Sequence, residues 1–525
     1  MTKRLLLPLL CAATIGAPLA AAPPRNFDAR VEALRRASGT PGMAIAIVED
    51  GKVTLAKGYG VRKLDAPEKV DADTVFMIGS TAKAMTSAAL ATLVDAGKLG
   101  WDDRVIDHLP AFQMYDAWVT REITVRDLLV HRSGLGLGAG DLLYIPRGSY
   151  SREEIIRRIR HIAPATSFRG GYAYDNILYL VAGQLVEAVS GQTWEDYVRA
   201  HVFAPAGMTR AIDEEARFFA EPNRAQPHAR FGGPVRGVGP MRMLDERDRL
   251  PQASAPAGLI AASGNDMARW LQVQLGEGAA PNGQRVYSEA QAREMWAPVT
   301  PMPITPVPAP VAETTPTYQA YALGWQVRDY RGARIIWHAG GLFGSTSMVV
   351  LIPEKKVGFA IELNSEEPAP RHGLMYELLD HYLGLPKQDW PKRFQAYADA
   401  RFAGAQAAVA QSKAVAAKVG PSLPPASYAG RYVDPWYGAM AIGADARGLT
   451  VDFTPTPGMK GRLEHYQYDT FITRFDDPGI EPAFLTFALD AEGKVATITA
   501  RRVSPIADFS FDYQDLRFTP ERPAE

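Results

Sequence analysis

The sequence predicts an α+β fold built on an antiparallel sheet flanked by helices, followed by a separate all-β, barrel-like unit. Three observations predict it. An apolar run at residues 43–48 meets an Asp50-Gly51 turn and returns through 53–59, the pattern of a hairpin in an antiparallel sheet. Four more strand signals cluster late, at 322–329, 333–338, 347–352 and 357–363. From Tyr428 to Phe518 the texture changes to short alternating segments, about eight in roughly ninety residues, as in a small barrel or sandwich.

The other elements follow in chain order. Residues 26–37 read as a helix capped by Asn26. The apolar run 75–78 gives way at Gly79-Ser80-Thr81-Ala82-Lys83 to a helical pattern over 84–97. Residues 151–162 read as a helix with one basic side, and 168–176 as a loop entering an apolar helix over 177–190. Residues 255–261 read as architecture leading to Ser263, the N-cap of a helix over 265–275 with Asp266 placed for a capping box. The proline-rich stretch 298–316 has no period and reads as a surface loop with room to border a cleft. Residues 389–420 form an alanine-rich linking helix, and Pro421, Pro424 and Pro425 mark a boundary. The last unit has strand candidates at 428–433, 438–442, 449–453, 461–466, 471–475, 483–489, 495–501 and 509–518. The expected organisation is a secretory signal over 1–22, a main domain over 23–388, a helical linker over 389–425 and an accessory β-domain over 426–525.

The signal rests on Lys3 and Arg4, an apolar run over 5–19 broken by Pro8 and Pro18, and small residues at Ala20, Ala21 and Ala22. Export to a bacterial periplasm or beyond is the expected fate, with no stable membrane insertion after signal removal. The one cysteine, Cys11, lies inside this segment, so the mature chain would carry no disulfide, metal thiolate or cysteine nucleophile. Lys+Arg at 57 against Asp+Glu at 58 gives no basic block for nucleic acid and no strong electrostatic selection of substrate.

The chemistry centres on Ser80 and Lys83. Residues three apart on a helix share a face, so Lys83 Nζ can reach Ser80 Oγ. A serine hydroxyl is a poor nucleophile until a neighbour takes its proton. A lysine at a helix start, desolvated and beside other cations, gives up its proton more easily. The same turn offers a backbone N–H to a developing oxyanion. On the tetrapeptide alone, a plain serine cap followed by a surface lysine is the favoured reading, and the rest of the chain must outweigh it. Tyr174 and Asn176 sit where a phenol can share a proton and an amide can orient a carbonyl or the lysine. His338 ends a strand before Ala339-Gly340-Gly341, where glycines admit a ligand close to the backbone. His131 reads as structural, its ring bonding nearby backbone. Trp436, Tyr437, Tyr466, Tyr468 and Phe471 read as core or as caps of a cleft, and Arg462 and His465 as candidates for cleft contact.

Together these pieces resemble the serine β-lactamase and penicillin-binding-protein superfamily, in the branch of class C-related esterases, D-aminopeptidases and peptidases. Ser80-Thr81-Ala82-Lys83 resembles its Ser-x-x-Lys, Tyr174-Asp175-Asn176 its Tyr-x-Asn, and His338-Ala339-Gly340 its Lys-Thr-Gly or His-x-Gly strand, in family order. The resemblance runs from about Asn26 to Leu385 and implies an all-α subdomain beside the sheet. The later segment is similar to the lipocalin-like accessory domain of some peptidases in the family. The resemblance implies that Ser80 is the acyl acceptor, that Lys83 and Tyr174 share the base work, and that Asn176 orients Lys83 and the substrate. It implies an oxyanion hole from the N–H groups of Ser80 and Gly341, and a His338 that contacts substrate or Tyr174. It implies no cofactor and no metal. His338 stands where β-lactamases of this class carry lysine, which disfavours recognition of a β-lactam carboxylate. Asp175, where serine is common, is expected to point away from the nucleophile.

The expected activity is hydrolysis of amide or ester bonds in small peptide-like substrates through an acyl-enzyme on Ser80. The alternatives are a carboxylesterase, a weak β-lactamase, a D,D-peptidase, or a non-catalytic sensor that binds β-lactams or peptides.

Overall fold

A computed structural model describes residues 22–245, 251–415 and 419–521. The expected signal and Cys11 lie outside the described residues, apart from Ala22.

The central sheet has eight antiparallel strands. Their spatial order is Lys52–Gly60, Gly42–Glu49, Val357–Leu363, Ser345–Ile352, Ala333–Leu342, Gln326–Tyr330, Gln319–Tyr321 and Thr300–Pro301. The inner strands Gly42–Glu49, Ser345–Ile352 and Val357–Leu363 are buried along their whole length because both faces are covered. Met43, Ile45 and Ile47 face the helices Phe27–Ser38 and Pro368–Leu383, in one core with Phe359 and Ile361. Ala46 and Val48 face the other way, into the core shared with Lys83–Asp95 and Gly264–Leu275. Successive strand residues alternate faces, so one run serves two cores.

Most of the helical expectations hold, including Ile177–Ser190 and the Ser263–Asp266 capping box. Asn26 is a correction: it precedes the first helix at φ 60° and makes no side-chain cap bond. The segment expected as one strand over 322–329 is two, Gln319–Tyr321 and Gln326–Tyr330, parted by a turn through Gly324 at φ 81°. The proline-rich stretch contains the two-residue edge strand Thr300–Pro301.

After the helix Trp390–Val415, eight antiparallel strands close into a barrel. The last expected strand is another correction, because residues 509–516 turn inward toward the main domain and only Arg517–Pro520 pairs. Buried Asp512 accepts the Gly140 N–H at 2.6 Å and the Leu142 N–H at 3.1 Å. Tyr150 donates to Tyr437 O at 3.0 Å, and Arg236 to Gly479 O at 2.8 Å. The apolar core runs unbroken from the main domain into the barrel.

Candidate active site

Ser80 lies in a 3-10 turn, Gly79–Ala82, that leads directly into the helix Lys83–Asp95. The turn is held from below: Thr81 Oγ1 and Ser347 Oγ both donate to Ile78 O, at 2.8 and 2.5 Å. Two glycines make the fit possible. A Cβ on Gly340 would sit 1.9 Å from Ile78 O, and one on Gly79, at φ 54°, would sit 2.7 Å from Gly341 N. The Gly341 amide is thereby pressed against the Gly79–Ser80 turn.

Lys83 is completely buried. Its Nζ lies 3.0 Å from Ser80 Oγ, 2.7 Å from Asn176 Oδ1 and 2.8 Å from Ala257 O. Burial pushes its pKa down to about 7, while the Asp141 and Asp175 carboxylates act the other way. Among the described residues no other cation lowers it, so desolvation acts without the positive neighbours expected from the sequence. At neutral pH a large share of Lys83 is the free amine, able to accept a proton.

Asn176 Nδ2 donates to Asp141 Oδ2 at 2.8 Å, which fixes the amide so that its oxygen faces Lys83. Asp141 also accepts from Tyr144 Oη at 2.7 Å and from Ser510 Oγ, on the barrel domain, at 2.8 Å. Burial raises Asp141 to about 6 and Asp175 to about 7. Asp175 turns away from the nucleophile, as expected, and accepts from Ser133 Oγ at 3.2 Å.

The Tyr174 hydroxyl is buried beside Ser80 without closing a hydrogen bond of ordinary geometry. Burial drives its pKa well up, so the phenol stays protonated. In the resting site Tyr174 is therefore a neutral phenol and not a phenolate. Its ring meets Phe509 of the barrel domain edge-on at 5.6 Å.

His338 differs most from expectation. It is buried within the strand Ala333–Leu342 and does not end it. Its Nδ1 lies 2.7 Å from Ala339 O, which can only accept, so Nδ1 carries the proton. Nε2 then accepts from Tyr321 Oη at 2.7 Å. Both nitrogens are occupied, and burial pushes the pKa down to about 3. His338 approaches Tyr174 only ring to ring, at 6.3 Å, and is a fixed neutral part of the wall. His131 is structural, accepting the Asp175 N–H at 3.2 Å and lying 4.2 Å from the Tyr174 ring.

Arg462 and His465 do not reach this site: Arg462 pairs with Asp445, and His465 bonds Tyr468 O. Trp436, Tyr437 and Phe471 are buried, and Tyr468 is exposed. Sequence reasoning missed Asp141, Ala257, Tyr321 and Ser510. Asp141 did leave a trace, as a lone charge between a glycine-rich run and Leu142-Leu143, where a carboxylate is out of place unless paired. Among the described residues, no cluster of three or more His, Cys, Asp or Glu side chains is set to hold a metal ion.

A serine, a buried amine within hydrogen-bond reach and a phenol in one wall of an α+β sheet protein define a serine hydrolase of the β-lactamase/transpeptidase-like fold. The chain belongs to the beta-lactamase family, whose profile matches residues 27–384. A second profile, a domain of unknown function (DUF3471), matches 415–520. The unguisins hydrolase ungD of Aspergillus violaceofuscus is 28% identical over 443 residues, 80% of this chain and 76% of the relative. Penicillin-binding protein 4 of Amycolatopsis lactamdurans is 30% identical, over 65% of this chain and 84% of the relative. The octameric penicillin-binding protein homologue from Pyrococcus abyssi shares the fold with a TM-score of 0.57 at 19% identity, covering 91% of this chain and 98% of that one. The D-amino acid amidase from Ochrobactrum anthropi aligns with a TM-score of 0.53 at 22% identity, over 68% of this chain and 98% of that one.

Proposed function

We propose that this protein is an exported serine hydrolase that cleaves amide or ester bonds of small peptide-like substrates through an acyl-enzyme on Ser80. The observation that carries this is the buried Lys83 amine 3.0 Å from Ser80 Oγ, with a pKa near 7. Ser80 Oγ attacks the substrate carbonyl carbon while its proton passes to Lys83 Nζ. The carbonyl oxygen becomes an oxyanion facing the Ser80 and Gly341 N–H groups. As the intermediate collapses, the leaving amine or alcohol takes the Tyr174 proton, and Lys83 returns one to Tyr174. Water then attacks the acyl carbon while Lys83 accepts its proton, and Lys83 passes that proton to Ser80 Oγ as the ester bond breaks and the acid leaves.

Small substrates are favoured because Phe509 stands against Tyr174 at the rim of the site. A peptide-like substrate is favoured by relatives named as a hydrolase and a penicillin-binding protein. The neutral, fully bonded His338 offers no cation to a β-lactam carboxylate, which weighs against efficient β-lactamase activity. The test compares the protein with Ser80→Ala on p-nitrophenyl esters, D- and L-aminoacyl p-nitroanilides and a chromogenic cephalosporin. An aminoacyl anilide or ester turned over best, with loss in Ser80→Ala, supports the proposal; fastest turnover of the cephalosporin contradicts the substrate class. Export is tested by the N-terminal sequence of the protein recovered from a bacterial periplasm.

A further inference from the structure

The helix Pro368–Leu383 sits on the face of the sheet opposite the helix that carries Lys83, yet one of its side chains reaches the catalytic strand. Arg371 Nη1 donates to Gly340 O at 2.9 Å and to Ser347 O at 3.2 Å. Its Nε is buried without a partner. Burial lowers its pKa to about 10, and no carboxylate among the described residues offsets that burial, so Arg371 remains a cation at neutral pH without a counter-charge. A buried guanidinium without a counter-charge is costly to keep.

What it touches gives it a use. Gly340 O and the Gly341 N–H belong to one peptide unit. In a planar trans peptide the C=O and N–H point in opposite directions. A cation fixed on the oxygen therefore turns the N–H toward the other side, where Gly341 N lies against the Gly79–Ser80 turn. It also draws electron density toward the oxygen and leaves the N–H a stronger donor, since hydrogen bonds in series polarise one another in a low-dielectric interior. The pairing of Gly340 with Ser347 and of Gly341 with Thr346 already holds this peptide in the ladder, and Arg371 adds a charged donor to its oxygen where neither glycine has a side chain to brace it.

We propose that Arg371 is a positioning residue for the oxyanion hole, acting through the Gly340–Gly341 peptide to aim and strengthen the Gly341 N–H. This rests on the acyl-serine function proposed above. The arginine touches no substrate. Its effect falls on the tetrahedral state, in which the oxygen carries charge, and much less on the bound substrate.

The experiment measures two quantities in the same proteins. One is KM for a p-nitrophenyl ester. The other is the inhibition constant of phenylboronic acid, whose boron takes the serine oxygen to give a tetrahedral anion while the serine proton passes to the base. Arg371→Met keeps most of the volume without the charge, and Arg371→Lys keeps a charge with three N–H donors in place of five. In Arg371→Met the boronate is expected to weaken by roughly tenfold or more while KM moves less than about threefold, with kcat falling as the boronate does. Arg371→Lys is expected to lie between Met and wild type. Equal loss in KM and boronate affinity, or no loss of either, overturns the proposal. Should Arg371→Met fail to fold, the same ratio in Arg371→Lys decides. Ser80→Ala serves as the control: boronate binding that survives there in full defeats the acyl-serine function itself, whatever Arg371 does.

Discussion

Ser510 of the barrel domain donates a hydrogen bond to Asp141 of the main domain at 2.8 Å, and the same Asp141 oxygen holds Asn176. Asn176 in turn holds Lys83, and Lys83 holds Ser80. Four hydrogen bonds thus link the accessory domain to the nucleophile. Removing the hydroxyl in Ser510→Ala leaves Asp141 with Tyr144 and Asn176, so a drop of roughly three- to tenfold in kcat with little change in KM is expected. Steady-state kinetics on an ester checks this.

The acid limb of the rate profile should report Lys83. Its pKa near 7 means that activity rises with pH through about pH 7 as the ammonium loses its proton. Asp141 favours the charged lysine, so Asp141→Asn is expected to move the limb to lower pH. A limb that moves upward would show that the carboxylate does not stabilise the ammonium.

Asp175 should leave a mark on stability. Its folded pKa, raised to about 7 from the ordinary 3.8, means that the folded state holds a proton the unfolded chain has lost. That contribution is full below the unfolded value and is lost as pH rises through the folded one. The melting temperature of Asp175→Asn relative to wild type is therefore expected to increase between about pH 4 and about pH 8. Thermal melts at both ends of that range check the sign.

The domain junction is similarly exposed to test. Asp512→Ala would strand the Gly140 and Leu142 N–H groups. A loss of about 1–3 kcal/mol for each unsatisfied buried group is expected from denaturant unfolding. Phe509→Ala acts differently, since it removes a ring from beside Tyr174. Esters with bulkier acyl groups should gain in kcat/KM relative to acetate.

How much of this was legible in the sequence follows the range of the interactions. The hairpin, the Ser263 cap and most of the barrel strands depend on local pattern, and they stand where the pattern places them. The nearness of Ser80 and Lys83 is also local, three residues along one turn. The bonds that set their chemistry are not. Ala257 O reaches Lys83 across 174 positions, and Ser510 reaches Asp141 across 369. Residues 509–518 alternate like a strand, yet those up to 516 are turned inward by contacts that no local period encodes. His338 looked like a strand-end histidine open to a ligand, and Tyr321, on a neighbouring strand pair, closes it.

The acyl-enzyme itself is the most direct test of the account. The protein is mixed with a p-nitrophenyl ester, quenched in acid within seconds and digested, and the peptides are weighed. The account predicts an acyl adduct on the peptide carrying Ser80, lost as the ester is exhausted and absent from Ser80→Ala. Undiminished turnover by Ser80→Ala, with no adduct on that peptide in wild type, would contradict it.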